Sequence, residues 1–176
     1  MSNYFLVPGL GNSGPAHWQT WLEKDHKGFT RIQQKEWEAP DCATWIEQID
    51  KTLSQHDPAE IILLGHSLGC ATIAHWAARY RRKIKGALLV APSDLEAPVY
   101  TFPNTGFDPF PIAPIHFKTI VVASSDDPWV SPERAKYFAK NWGSELFDIG
   151  PAGHINGDSG HGPWPQCFEF IKKLEL

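Results

Sequence analysis

The sequence is short of three things: cysteine, positive charge and long apolar runs. Its three cysteines, Cys42, Cys70 and Cys167, stand far apart in 176 residues. That spacing supplies neither a disulfide framework nor a zinc pattern. Lys and Arg number 16 against 20 Asp and Glu, a formal charge of −4. Binding to a phosphate backbone needs a basic face, so nucleic acid is not an expected partner. The densest basic run, Arg79 to Lys85, falls where a helix is expected to end, and cations suit that end of the dipole. No apolar run approaches the ~20 residues of a membrane span. The opening Met-Ser-Asn-Tyr-Phe-Leu-Val-Pro has no basic leader. These absences lead to the expectation of a cytoplasmic, reduced, single-domain chain over 1–176, with no membrane association, metal or cofactor.

What is present suits a globular core. The chain is 42% hydrophobic, and its length is enough to bury a substantial interior. Eight tryptophans are many for this length, and some are expected to line a pocket rather than the core. Short apolar runs alternate with amphipathic ones. Strands are expected at Tyr4–Val7, Arg31–Gln33, Ile61–Leu64, Ala87–Val90, Ile120–Ala123 and Leu146–Ile149. Helices are expected at Ala16–Lys24, Ala43–Gln55, Cys70–Arg81, Pro132–Asn141 and Pro165–Leu174. In the second helix Trp45, Ile49 and Leu53 share a face, and Asp41 is placed to cap it. The central strands are almost wholly apolar, as in a parallel sheet covered on both sides. The alternation predicts an α/β fold, mostly parallel and six-stranded, with sites at the carboxyl ends of strands.

Leu95 to Phe117 breaks the rhythm. It holds Pro98, Pro103, Pro109, Pro111 and Pro114 among five aromatic residues. No regular period survives those prolines, yet the segment is too apolar for a solvated loop. It is expected to run irregularly, with part of it walling a pocket. It is also too short for a helical cap.

The chemistry centres on Gly65-His66-Ser67-Leu68-Gly69, between an apolar strand and a helical pattern. This is the nucleophile-elbow arrangement, in which a sharp turn lifts the serine clear of the sheet. Small residues at Gly65 and Gly69 let strand and helix approach. Ser67 is the candidate nucleophile, and the N–H of Leu68 is a candidate oxyanion donor. The required acid and base should follow later strands, in that order. Asp126-Asp127-Pro128-Trp129-Val130 follows one strand and Gly153-His154 follows another. Asp127 is preferred over Asp126 as the acid, Asp126 being read as a holder of loop amides. His154 is the base.

The second oxyanion donor is assigned to the N–H of Leu10, in the glycine loop Val7 to Gly14. That loop also spells Gly9-x-Gly11-x-x-Gly14, a dinucleotide fingerprint. Pro15 at the helix start and the lack of a clear ribose-binding acid weigh against it. His17, Trp18 and Trp129 are pocket candidates, a helix-start role for His17 and Trp18 being the competing reading. His66 is expected to pack or bond locally, and Cys70 to be a small core residue. His154, Asp158 and His161 could suggest a metal site, but a structural role for His161 is preferred.

These residues resemble the small serine hydrolases related to retinoblastoma-binding protein 9 and bacterial YdeN. The resemblance rests on Val7-Pro8-Gly9 with His17-Trp18, the elbow at 65–69, Ser125-Asp126-Asp127-Pro128 and Gly153-His154-Ile155-Asn156. The run from Ser159 to Pro165 is similar to the bacterial branch. The resemblance implies a compact α/β-hydrolase sheet without the first two strands of larger relatives, and a triad on Ser67, Asp127 and His154. The expected activity is a cofactor-free carboxylesterase acting on small esters through an acyl-enzyme. An amidase or peptidase of the same mechanism, or a hydrolase-fold binding protein with little turnover, are the alternatives.

Overall fold

The computed structural model describes residues 2–176. Six strands form one sheet: β1 (Asn3–Val7), β2 (Phe29–Arg31), β3 (Ile61–His66), β4 (Gly86–Val90), β5 (Lys118–Ala123) and β6 (Glu145–Asp148). Their spatial order is β2-β1-β3-β4-β5-β6, and every pairing is parallel. The helices are α1 (Trp18–Asp25), α2 (Cys42–Leu53), α3 (Leu68–Tyr80), α4 (Pro132–Trp142) and α5 (Cys167–Glu175).

The strands read as apolar runs because both of their faces are covered. Ile61 and Leu63 of β3 enter the core beneath α2, α3 and α4, whereas Ile62 and Leu64 enter the one beneath α1 and α5. The same alternation splits Ala87 and Leu89 from Leu88 and Val90 in β4. α2 presents Cys42, Trp45, Ile49 and Leu53 inward, and the Asp41 carboxylate accepts from the Thr44 N–H at 2.8 Å as its cap.

Two expectations shift. The edge strand β2 lies at Phe29–Arg31 rather than Arg31–Gln33. Its place is set by register with β1, Tyr4 opposite Phe29 and Leu6 opposite Arg31, and by stacking of the Tyr4 and Phe29 rings at 4.5 Å. The tryptophans are mostly core: Trp18, Trp45, Trp76 and Trp142 are fully buried, and Trp164 nearly so. The segment from Leu95 to Phe117 contains no helix or strand. Phe107, Phe110 and Phe117 are sunk into the core, which pins the segment from within. No helical cap lies between β4 and β5.

Candidate active site

The turn after β3 is tight for reasons visible in its contacts. A Cβ on Gly69 would lie 2.1 Å from the Val7 carbonyl oxygen, so only glycine lets α3 start against the end of β1. Ser67 takes φ 55° and ψ −125°, a conformation costly for a residue with a side chain. Its N–H donates to the Val90 carbonyl at 3.1 Å, which ties the turn to β4. Ser67 sits at the N-cap of α3 without using its hydroxyl for capping. Cys70, three residues on, is fully buried, and burial pushes its thiol well above the ordinary value. Ser67, by contrast, is half-buried and lines a cavity.

The loops after β5 and β6 meet beside it. Both oxygens of Asp127 lie against Nδ1 of His154, at 2.9 and 3.0 Å, and the Asp127 side chain is fully buried. Asp127 Oδ1 also accepts from the Trp129 N–H at 2.9 Å. Its neighbour Asp126 faces the other way. It accepts from the N–H groups of Ala152 and Gly153, each at 2.8 Å, and from the Ser124 hydroxyl at 2.7 Å. Those bonds hold its carboxyl below the usual range and fasten the histidine loop. Among the described residues, the Ser67 hydroxyl bonds to Ser93 Oγ at 2.8 Å and makes no bond to His154.

The loop after β1 lies directly over the elbow. A Cβ on Gly9 would fall 3.0 Å from the Leu68 nitrogen and 2.9 Å from Ser67 Cβ. Among the described residues, the Leu10 N–H donates no hydrogen bond. Arg31 of β2 reaches under this loop. Its Nη1 donates to Asn12 Oδ1 and the Ser13 carbonyl at 2.7 and 2.8 Å, and its Nη2 to Thr20 Oγ1 at 2.7 Å. Glu23 balances its charge at 2.9 Å. The sequence reading missed this residue; its only signal was a cation in an apolar edge strand.

A chain of imidazoles underlies the site. Nδ1 of His17 accepts from the Gln19 N–H at 3.1 Å, capping α1, so its proton resides on Nε2. That nitrogen lies 3.3 Å from Nδ1 of His66, and Nε2 of His66 lies 2.8 Å from the His154 carbonyl. The three contacts are satisfied together only by two neutral rings, each with its proton on Nε2. Burial, and then the nearby charge of Arg31, pushes His17 down to about 3. Burial likewise drives His66 well below the ordinary histidine value. His66 thus bonds across the site, not locally as the sequence suggested.

One cavity of about 330 Å³ gathers these groups. Ser67, Ser93 and His154 line its floor, and Leu10, Tyr100, Phe102 and Trp129 its apolar walls. His17 also lines it, along with Glu38 and Asn156, neither of which the sequence placed in a pocket. Trp18 does not. It is fully buried, with Nε1 donating to the Ile155 carbonyl at 3.0 Å, so it braces the histidine loop from the core.

Comparison with known proteins agrees with this architecture. The sequence signature of the serine hydrolase family matches residues 4–173. The chain belongs to that family. The hydrolase is similar to a YdeN-like hydrolase from Pectobacterium atrosepticum, 35% identical, with a TM-score of 0.88 over 99% of this chain and 91% of the other. The ydeN gene product of B. subtilis, 19% identical, superimposes with a TM-score of 0.80 over 99% and 98% of the two chains. Est1E from Butyrivibrio proteoclasticus, solved with ferulic acid bound, shares the fold at 14% identity and a TM-score of 0.68 over 99% and 89%. No curated protein sequence matches the hydrolase. None of its helices, among the described residues, is long and apolar enough to cross a membrane.

Proposed function

We propose that this hydrolase cleaves small carboxylic esters through an acyl-enzyme on Ser67. The observation that carries the reading is the pairing of a buried Asp127 with Nδ1 of His154, which lines the same cavity as Ser67. With Nδ1–H committed to Asp127, Nε2 of His154 is left as a base. The Ser67 proton passes to that nitrogen as Oγ bonds to the ester carbon. The carbonyl oxygen becomes an oxyanion, received by the N–H groups of Leu10 and Leu68. His154 then gives the proton to the departing alcohol. A water next attacks the acyl carbon, again losing its proton to His154. The carbon–Oγ bond breaks, the acid leaves, and His154 returns the proton to Ser67.

The open cavity and the short aromatic segment beside it favour small acyl groups. Trp129 and Phe102, with ring centroids 5.0 Å apart, form a low wall rather than a lid. The test is hydrolysis of p-nitrophenyl acetate, with p-nitroacetanilide as its amide counterpart. The ester should turn over, the anilide far more slowly, and Ser67→Ala should abolish both. Persistent turnover by Ser67→Ala would overturn the assignment of the nucleophile. An anilide rate equal to the ester rate would make the protein an amidase.

A further inference from the structure

The chain leaving β4 does not run straight on. Ala91 takes φ 48°, in the left-handed region where a Cβ costs roughly 1 kcal/mol or more. Its N–H bonds to the Val122 carbonyl at 2.8 Å, which fixes the bend. The bend carries Ser93, only 1% exposed, beneath the elbow until its Oγ lies 2.8 Å from Oγ of Ser67. The following residue is clamped. The Asp94 N–H donates to the Trp129 carbonyl at 2.9 Å, and its carboxylate takes a two-pronged bond from Arg134 at 2.7 and 2.9 Å. Glu96 accepts from the same Nη2. A strained bend and a forked ion pair thus deliver one buried hydroxyl to the nucleophile. Strain of this kind persists only where the surroundings over-determine it.

Proton counting gives that hydroxyl a direction. Ser67 Oγ carries one hydrogen, and attack on an ester requires that hydrogen to go to His154. Either hydroxyl can donate in the contact as it stands, but during attack only the Ser93 hydrogen is free to bridge the two oxygens. We propose that Ser93 is a catalytic hydrogen-bond donor to the Ser67 oxygen. The proposal rests on the reading of Ser67 and His154 as nucleophile and base. In acylation the Ser67 proton moves to His154 Nε2 while Oγ gains negative charge, and the Ser93 O–H points at that charge without transferring its proton. In deacylation the carbon–Oγ bond breaks and its electron pair returns to Oγ. Ser93 donates to that departing oxygen until His154 protonates it. The same donor therefore serves both halves of the cycle. Facing Oγ and not the carbonyl oxygen, it is distinct from the oxyanion donors.

Ser93→Ala removes the donor and leaves Ser67 free to turn toward His154. Loss of an oxyanion-hole donor costs about 10²- to 10³-fold in kcat. Charge on Oγ is smaller and more transient, so a loss of about 10- to 100-fold is expected here. The readouts are the rate of fluorophosphonate labelling, the burst and steady-state rates with p-nitrophenyl acetate, and the melting temperature. Labelling, acylation and deacylation should all slow, with KM nearly unchanged and the fold intact. Ser93→Thr, which keeps the hydroxyl, should recover most of the labelling rate. Rates within about twofold of wild type for Ser93→Ala would overturn the proposal, and a faster variant would make Ser93 a restraint on the nucleophile instead. A slow Ser93→Ala with no recovery in a folded Ser93→Thr would also overturn it, by assigning the loss to packing. Ser67→Ala separates the two readings: if it still labels and turns over, the nucleophile assignment itself fails, whatever Ser93→Ala does.

Discussion

Acid should destabilise this protein well before its carboxylates titrate, and the imidazole chain beneath the site sets the size of the effect. His17 and His66 are buried, and each uses one ring nitrogen as an acceptor and the other as a donor. Protonating either ring would put a second donor where an acceptor is required. His17 titrates near 6.5 when unfolded and at about 3 when folded. Its folded value is depressed, so the stability it confers is complete above about pH 6.5 and is lost as pH falls toward about 3. Between pH 7 and pH 5 the unfolded chain takes up this proton and the native chain does not. Linkage puts the loss at about 2 kcal/mol for one such histidine. His66, driven down first by burial, loses stability in the same direction as pH falls. The lowered His75 adds in the same sense.

Urea denaturation followed by tryptophan fluorescence at pH 7, 6 and 5 measures this directly. With an m-value of about 2 kcal/mol/M, the midpoint should fall by at least about 1 M between pH 7 and pH 5. His66→Gln supplies a control within the same network. Its amide can accept from His17 and donate to the His154 carbonyl, but it does not titrate in this range. The variant should start less stable and lose less on acidification than wild type. A midpoint that moves by less than about 0.5 M between pH 7 and pH 5 would refute the neutral-imidazole chain, as would a variant with the wild-type pH slope.

Two further outcomes test the proposed chemistry. Asp127→Asn should lower kcat by about 10³- to 10⁴-fold, because its amide oxygen would keep the Trp129 N–H and turn the NH2 toward His154 Nδ1, imposing the wrong tautomer. Asp126→Asn keeps an acceptor for the Ala152 and Gly153 amides and should cost far less; reversed losses would make Asp126 the acid. Across p-nitrophenyl esters from two to sixteen carbons, kcat/KM should be at least as high for the short acyl groups. A buried tunnel would instead add up to about 0.8 kcal/mol per methylene, a steep and continuing rise.

The elements carrying chemistry were legible where the signal was local. Gly65 to Gly69 is a contiguous pattern, and the apolar run before it settles its context. Asp127 and His154 were picked out because each lies in the loop after a predicted strand, and the structure brings the two within hydrogen-bond distance. Contacts between distant segments were not legible. Arg31 sits in a three-residue strand, and its purpose is to hold a loop some eighteen residues upstream. His66 depends on which face the last residue of β3 presents, and that follows from register with β4. Ser93 lies in a Pro-Ser-Asp turn, a common loop composition with no chemical signature of its own. Of the two readings of Trp18, pocket or helix start, the second holds, since Trp18 opens α1. An aromatic beside a glycine loop looks the same in sequence whether it faces the cavity or, as here, the core.

The distribution of backbone strain explains why so much of the site depends on such distant contacts. Among the described non-glycine residues with positive φ, Asn12 and Ser67 line the cavity, and Ala91 and Ile155 lie within two residues of lining residues. Each follows a strand, where the chain must leave the sheet and turn side chains inward. A buried Ile at φ 47° is far from its preferred backbone. It stays there because its N–H bonds to the Ala152 carbonyl and its own carbonyl accepts the Trp18 indole N–H. Asn12 is held by Arg31, Ser67 by Val90 and Ala91 by Val122. Every strained turn is therefore fastened to an element other than the one it leaves. A fold of 176 residues without a cap domain has few other ways to keep the proposed nucleophile, base and two N–H donors in register. The rigidity that a second domain would lend is supplied here by buried polar groups inside a single sheet.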